Sequence, residues 1–304
     1  MMLVHTDTVF KVGTAAENPF RIVDEKVYGP GVIDCKGGIV LGMYAIKLLK
    51  EKQFIDFEKI TFVINSDEEV GSVNSRDLIM KLAQEHDLAI VLEAAKPNHG
   101  ICIARKGVGG STIEVKGKRI HAARSEQGAN ALEELANQVM QIRNLADKEK
   151  GTAISVTVFQ SGDVSNIIPD YALAKVDFQV SDPKEFERIK KAGEIIAKNT
   201  IIPDTEVSFR LAEHPAFPAF PKNAKTDALA KQLAAIYQEI GLTMNTVSSP
   251  GASDGNYIHS VGTPVINGMS FIGINAHTNK EEGDLNSISI HLYTLTRFLM
   301  SFNV

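Results

Sequence analysis

The chain has 304 residues, 44% of them hydrophobic and 23% charged, a balance that supports a sizeable buried core and about two domains. A net charge of −5 and the lack of any Lys/Arg block give no footprint for nucleic acid. Two separated cysteines, Cys35 and Cys102, make neither a disulfide framework nor a cysteine metal site and read as small buried residues. No apolar run reaches the roughly 18 residues of a membrane span. Residues 1–10 hold no basic n-region and no long apolar h-region. The expectation is a soluble, cytoplasmic protein without a membrane partner, unless an upstream segment carries an export signal.

In chain order, "MLV" predicts a short strand ending at His5. Residues 37–52 predict a helix, apolar nearly all round and therefore buried. Strand-like runs at 59–65 and 88–93 bracket a helical stretch at 72–86. This alternation argues for α/β layers on a mostly parallel sheet. After Arg105 the pattern changes. "GGSTIEVKGK", "AISVTVFQSG" and "YALAKVDFQVSD" read as antiparallel strands, with helices at 130–145 and from Pro183, where Asp182 is the N-cap and Phe186, Ile189 and Ile196 form the apolar stripe. Beyond the proline-rich "HPAFPAFPKN" the α/β character returns. A helix there carries Leu229, Leu233, Ile236 and Ile240 on one face and stops at Gly241. "TPVINGM" is a strand, and "SISIHLYTLTRFLMSF" is a closing helix. The simplest account is one α/β domain, 1–106 and 215–304, with an α+β domain, 107–214, inserted into it.

The acids and histidines fall at informative places. His5 and Asp7 follow the first strand. Asp67, Glu68 and Glu69 follow "TFVIN", Glu93 ends "AIVL", and His277 lies in the loop after "PVIN". Ligands of open α/β sheets gather beyond the carboxyl ends of the strands, so separate segments deliver these groups to one sheet edge. Asp34 joins them from the glycine-rich "GPGVIDCKGG". That loop lacks the phosphate-loop pattern, and its aspartate would repel a phosphate. Imidazole and carboxylate are the donor set for zinc, manganese or cobalt. Five such groups exceed the needs of one tetrahedral zinc. With Asp34 shared, each of two ions would receive one histidine and one glutamate, the ions lying about 3.5–4 Å apart. Asp7 would accept the free ring N–H of His5 and fix its tautomer. Of the neighbours Glu68 and Glu69, one can bind metal while the other acts as general base on the metal-activated water.

The ordered set "VHTDTV", "GPGVIDCKGGI", "SDEEVGS", "LE", "HAA…GANAL", "GDVSNIIP", "GASDGNY" and "HTNKEEGDLNSI" resembles the family-20 zinc metallopeptidases over nearly the whole chain. That family includes glutamate carboxypeptidase, aminoacylase, acetylornithine deacetylase and succinyl-diaminopimelate desuccinylase, and the likeness is nearest to the bacterial glutamate carboxypeptidase branch. The resemblance implies a zinc exopeptidase catalytic domain, a lid domain that forms a homodimer, and two zinc ions, replaceable by cobalt or manganese. By the same resemblance His5 and Glu93 hold one ion, Glu69 and His277 the other, and Asp34 bridges. Glu68 moves the proton. His121 donates to the oxyanion from a dimer partner, Asn166 faces the substrate, and Asp254 helps build the pocket wall. Glu93 as a ligand resembles the carboxypeptidase and deacylase branches, which points to a free carboxylate on the leaving amino acid, with Arg210 as a candidate to grip it.

The sequence departs from the family pattern in four places. His121 is followed by Ala122-Ala123 instead of Ala-Gly, Asp177 by Phe178-Gln179 instead of a residue and then Arg, and His214 stands where the branch carries arginine. Full-length relatives also have strands and helices ahead of the His-x-Asp motif. The expected activity is hydrolysis of a peptide or N-acyl amide bond beside a free carboxylate, the acyl and amino groups remaining open. Two alternatives use the same residues: a relative that binds metal or a small ligand without turnover, and a dipeptidase or aminopeptidase of the family.

Overall fold

The structure, a computed structural model, describes residues 1–211 and 217–302. His214 and the expected domain boundary beside it lie outside the described residues. Contacts divide the chain into two units. The first comprises Met1–Arg105, Pro221–Ser249 and Ser253–Val304; the second comprises Lys106–Phe220 and Pro250–Ala252. Among the described residues no helix is long and apolar enough to cross a membrane.

The first unit is built on a six-stranded sheet in the order Thr246–Ser249, Ile101–Arg105, Val265–Asn267, Ala89–Val91, Met2–His5, Phe62–Asn65. Its last four strands run parallel. Met2–His5 is buried at every position, which explains why its sequence shows no polar alternation. The strand expected over 59–65 begins only at Phe62, where pairing with Met2 starts. His5 pairs with Asn65 at the carboxyl edge, so the segments that follow these strands leave from the same side. The core joins Met2, Val4, Leu41, Ile90, Leu92, Leu233, Ile266 and Phe298.

Helix Gly37–Glu51 lies against this core through Leu41, Ala45 and Leu49. The expectation of all-round burial needs correction, because Val40, Met43 and Tyr44 are 55%, 58% and 51% exposed. A helix laid on a sheet buries one face. Here the other apolar side, with Phe20, Ile288 and Leu292, borders a groove of about 650 Å³. The later helix is Ala224–Glu239, capped by the Asn223 side chain on Thr226 N–H. Ile240 falls beyond its last turn and is exposed instead of buried, and Gly241 has φ +72°.

The second unit is an antiparallel sheet in the order Glu206–Leu211, Gly107–Lys116, Tyr171–Val180, Ala153–Ser161. Gly107–Lys116 alternates buried and half-buried residues, as a strand packed on one face does. Helices Ala131–Arg143 and Lys184–Ala197 supply Leu135, Val139, Ile142, Phe186 and Ile189 to its core. Asp182 accepts the Lys184 N–H at 2.9 Å.

Two features of the first unit generate stability predictions. A Cβ on Gly38 would run into the Leu92 carbonyl oxygen and come within 3.1 Å of Leu92 Cβ. Gly38→Ala therefore has to push the helix off the sheet and should cost about 1–3 kcal/mol by urea unfolding. Val40→Ala on the exposed face should stay within about 0.5 kcal/mol. Separately, His291 of the closing helix Asn286–Ser301 is fully buried between Tyr237 and His99. Burial, with the charge of His99, lowers its pKa from 6.5 to about 3. A depressed histidine is neutral in the folded state, so its contribution is lost as pH falls below its unfolded value. Between pH 6.5 and pH 4 the wild type should lose about 3 kcal/mol through this group. His291→Gln, which does not titrate, should show a correspondingly shallower decline; an unchanged slope would refute the assignment.

Candidate metal centre

The carboxyl edge of the first sheet gathers two histidines and a set of carboxylates. His5, at the end of its strand, is 2% exposed. Its Nδ1 lies 3.1 Å from the Asp7 carbonyl and 3.3 Å from Asp7 Oδ1. Its Nε2 therefore points the other way, 3.1 Å from Asp34 Oδ1 and 3.6 Å from Glu93 Oε1. The second oxygen of Asp34 faces His277, with Nε2 to Oδ2 2.8 Å, and Glu69 Oε2 is 3.4 Å from the same nitrogen. One carboxylate thus stands between two imidazoles, each with its own glutamate.

Local folding explains this placement. Asp34 sits in the turn Val32–Lys36 ahead of the Gly37 helix, and the Asp34–Cys35 peptide is cis. Glu68 and Glu69 occupy a single 3-10 turn, Glu68–Val70, closed by Gly71 at φ +91°. Tight winding sends consecutive side chains apart, so Glu68 is buried while Glu69 faces His277. Asp7 Oδ2 accepts the Glu69 N–H at 2.9 Å, tying this turn to the first strand. Asp67 accepts from Asn74 and Ser75 N–H, in the turn that leads into the next helix, Arg76–Gln84.

The electrostatics are those of crowded carboxylates. Burial opposes a charge on His5, but its hydrogen bonds to Asp34 and Cys35 and the charge of Glu93 outweigh this and hold its pKa well above the histidine range. Burial also pulls Asp34 upward, and His277 and His5 overcome it, so its carboxyl lies below the usual range. Glu93 is pushed up to about 7, first by burial and then by Asp34. Burial, then Glu93 and Asp254, raise Glu68 well above an ordinary glutamate. Burial and Asp34 raise Glu69 as well, and the Asp34 hydrogen bond raises His277. Protons balance charges that a cation balances equally well. Glu69 Oε1 is buried and accepts no hydrogen bond from any described residue. Donor atoms of His5, Asp34 and Glu69 all lie within 4.8 Å of one another. The donor chemistry fits divalent cations. Cys35 also lies near His5 and Glu93, but burial and the Glu93 charge push its thiol up to about 12. It stays protonated with Sγ 3.8 Å from the His5 carbonyl, which is poor ligand chemistry.

Asp254, expected in the pocket wall, is 2% exposed and turned inward. It accepts from Asn65 Nδ2 at 2.8 Å and from Ser72 Oγ. These partners flank the Glu68–Glu69 turn, so Asp254 braces that turn from beneath. Sequence reasoning passed over Glu281, whose buried carboxylate accepts the Asp34 N–H. Nothing in the string "KEEGD" separates it from Glu282, which pairs with Lys26 at the surface.

In the second unit His121 ends the two-residue strand Ile120–His121, which pairs with Ile167–Ile168. His121 Nδ1 accepts the Ala123 N–H at 3.1 Å. The proton of the neutral ring therefore belongs on Nε2, making that nitrogen a donor. Asn166 is exposed beside it, its carbonyl accepting the Ala122 N–H. Ala122, Ser165 and Ile167 border a cavity of about 530 Å³. Arg210 does not stand as an open cation: its guanidinium pairs with Glu114 on the neighbouring strand.

Comparison with known proteins agrees with this architecture. Carboxypeptidase G2 of Pseudomonas sp. (strain RS-16) is 33% identical over 304 residues, 99% of this chain and 73% of that protein. Aminopeptidase PepT of Bacillus cereus has a TM-score of 0.80 at 22% identity, over 98% of this chain and 79% of its own. The Bacillus subtilis YXEP protein, described as a dinuclear metal-binding peptidase, has a TM-score of 0.71 at 15% identity, over 98% and 80%. At such identities the two structures speak to the fold, a mixed α/β architecture with a mainly parallel central sheet. Residues 1–301 match Peptidase family M20/M25/M40, and the chain belongs to that family of metal-dependent peptidases.

Proposed function

We propose that the chain is a two-metal amidohydrolase of carboxypeptidase type, cleaving a peptide or N-acyl amide bond beside a free carboxylate. The carrying observation is the position of Asp34, one oxygen toward His5 and the other toward His277. His5 and Glu93 would hold one cation, His277 and Glu69 the other, with Asp34 shared. Zinc suits this donor set, and cobalt or manganese can replace it. Bound there, the ions would polarise the scissile carbonyl and acidify the attacking water.

The chain's own residues do the rest. Asp7 takes the Nδ1 side of His5 and keeps Nε2 for the ligand role. Glu68, buried at the same sheet edge and ionised beside the bound cations, accepts the proton of the attacking water as oxygen bonds to the carbonyl carbon. It returns that proton to the nitrogen as the C–N bond breaks, so a carboxylic acid and an amine leave and Glu68 is a carboxylate again. His121, a donor at Nε2, is assigned to the oxyanion, supplied within a homodimer by the partner subunit, and Asn166 to the substrate. The carboxylate specificity draws support from the Glu93 ligand and from the relationship to Carboxypeptidase G2.

Purified protein should contain two equivalents of divalent metal, lose activity on chelation and regain it with Zn²⁺ or Co²⁺. N-acyl amino acids with a free carboxylate should turn over, and the corresponding amides should not. A preference for peptides with a free α-amino group would replace this reading with an aminopeptidase, and no turnover with metal bound would leave a binding protein. Glu68→Gln should keep both metal equivalents and lower kcat by roughly 10²–10⁴-fold; wild-type kcat would remove Glu68 from the proton-transfer role.

A further inference from the structure

Glu281 precedes the strand Glu282–Asp284, which pairs antiparallel with Lys26–Tyr28, Glu282 standing opposite Tyr28. That pairing carries Glu281 to the turn that follows Tyr28. Its carboxylate is 1% exposed. Oε2 accepts the Gly31 N–H at 2.9 Å, and Oε1 accepts Ile33 N–H at 2.9 Å and Asp34 N–H at 3.2 Å. Gly31 has φ +75°, and a Cβ there would meet Lys36 Nζ at 2.6 Å and Thr8 Cγ2 at 2.7 Å. The turn is thus wound as only glycine winds easily, and a buried anion gathers its amides. Glu281 also lies four residues after His277. One short segment both presents an imidazole to Asp34 Oδ2 and grips the main chain from which Asp34 projects.

We propose that Glu281 is a positioning residue for the metal centre. It sets the Asp34 main chain so that the two carboxylate oxygens address His5 and His277 at once. This rests on the two-metal reading of the same site. Glutamate suits the task because both of its oxygens accept, and hydrogen bonds to an ionised acceptor are the strong ones. Glutamine would accept through one oxygen and turn an NH₂ donor toward an N–H. A cation held by Glu69 and His277 would depend most on this grip, since both of those residues come from turns, whereas His5 ends a strand.

The test is equilibrium dialysis of chelator-stripped protein against Co²⁺, reading bound equivalents and the visible Co²⁺ spectrum. Wild type should bind two equivalents. Glu281→Gln should weaken the second by roughly tenfold or more, in the range seen when partners of metal ligands are removed, about 10–100-fold. Glu281→Ala should retain one equivalent at most. Glu282→Gln, which removes a neighbouring charge paired to Lys26, should bind as wild type. A merely structural role would lower the unfolding temperature yet leave two equivalents and an unchanged spectrum. Folded Glu281→Gln with wild-type Co²⁺ binding overturns the proposal, even if the alanine variant does not fold. Wild-type protein that binds no Co²⁺ overturns the two-metal reading and this proposal together.

Discussion

The constraint on which the catalytic unit turns is the crowding of carboxylates at one partly desolvated sheet edge. Asp34, Glu68, Glu69 and Glu93 converge there around the imidazoles of His5 and His277. Like charges at such separations repel strongly in a low-dielectric setting, and the upward displacement of Glu68, Glu69 and Glu93 records burial first and that repulsion second. A divalent cation bound among these groups would offset that repulsion, as protons do in its place.

The sheet makes the crowding feasible. Parallel neighbours deliver His5, the Glu68–Glu69 turn and Glu93 from the same edge. Turns do the finer work: the 3-10 turn at Glu68 parts two adjacent acids, and the turn after Gly31 swings Asp34 toward both histidines. Each turn has its own brace. Asp7 holds the Glu69 amide, Asp254 joins Asn65 to Ser72, and Glu281 gathers three amides of the Asp34 turn.

Much of this was legible in the sequence, for physical reasons. Strand-length apolar runs ending in His, Asp or Glu reveal a site because side-chain chemistry at strand ends has no packing explanation. Helix and strand periods likewise follow burial, so Phe186, Ile189, Leu229 and Leu233 were readable as core. What escaped depends on partners distant in sequence. The resemblance assigns Asp254 to the pocket wall, and its hold on Asn65 and Ser72 is visible only once the chain is folded. Glu281 and Glu282 are identical letters, one buried on amides and the other at the surface with Lys26. Arg210 is a candidate carboxylate grip in the sequence, and its pairing with Glu114 emerges only from the strand pairing. The outer face of helix Gly37–Glu51 misled because hydrophobicity all round a helix does not say which sides find a partner.

The kind of brace matters as much as its presence. Asp254 and Glu281 are held by main-chain amides, a serine hydroxyl and an asparagine amide, all neutral donors, and Asp7 takes the Glu69 amide beside His5 Nδ1. A lysine or arginine in those positions would fix the same carboxylates while cancelling their charge. It would also bring a positive charge within reach of the centre, and so compete with the metal. Neutral donors orient an anion and leave its field in place. Asp34 shows what that preserves: its main chain is fixed by an anion behind it, while its own two oxygens remain directed at the histidines in front. The site keeps its negative potential because the scaffold restrains the carboxylates by geometry instead of by counter-charge.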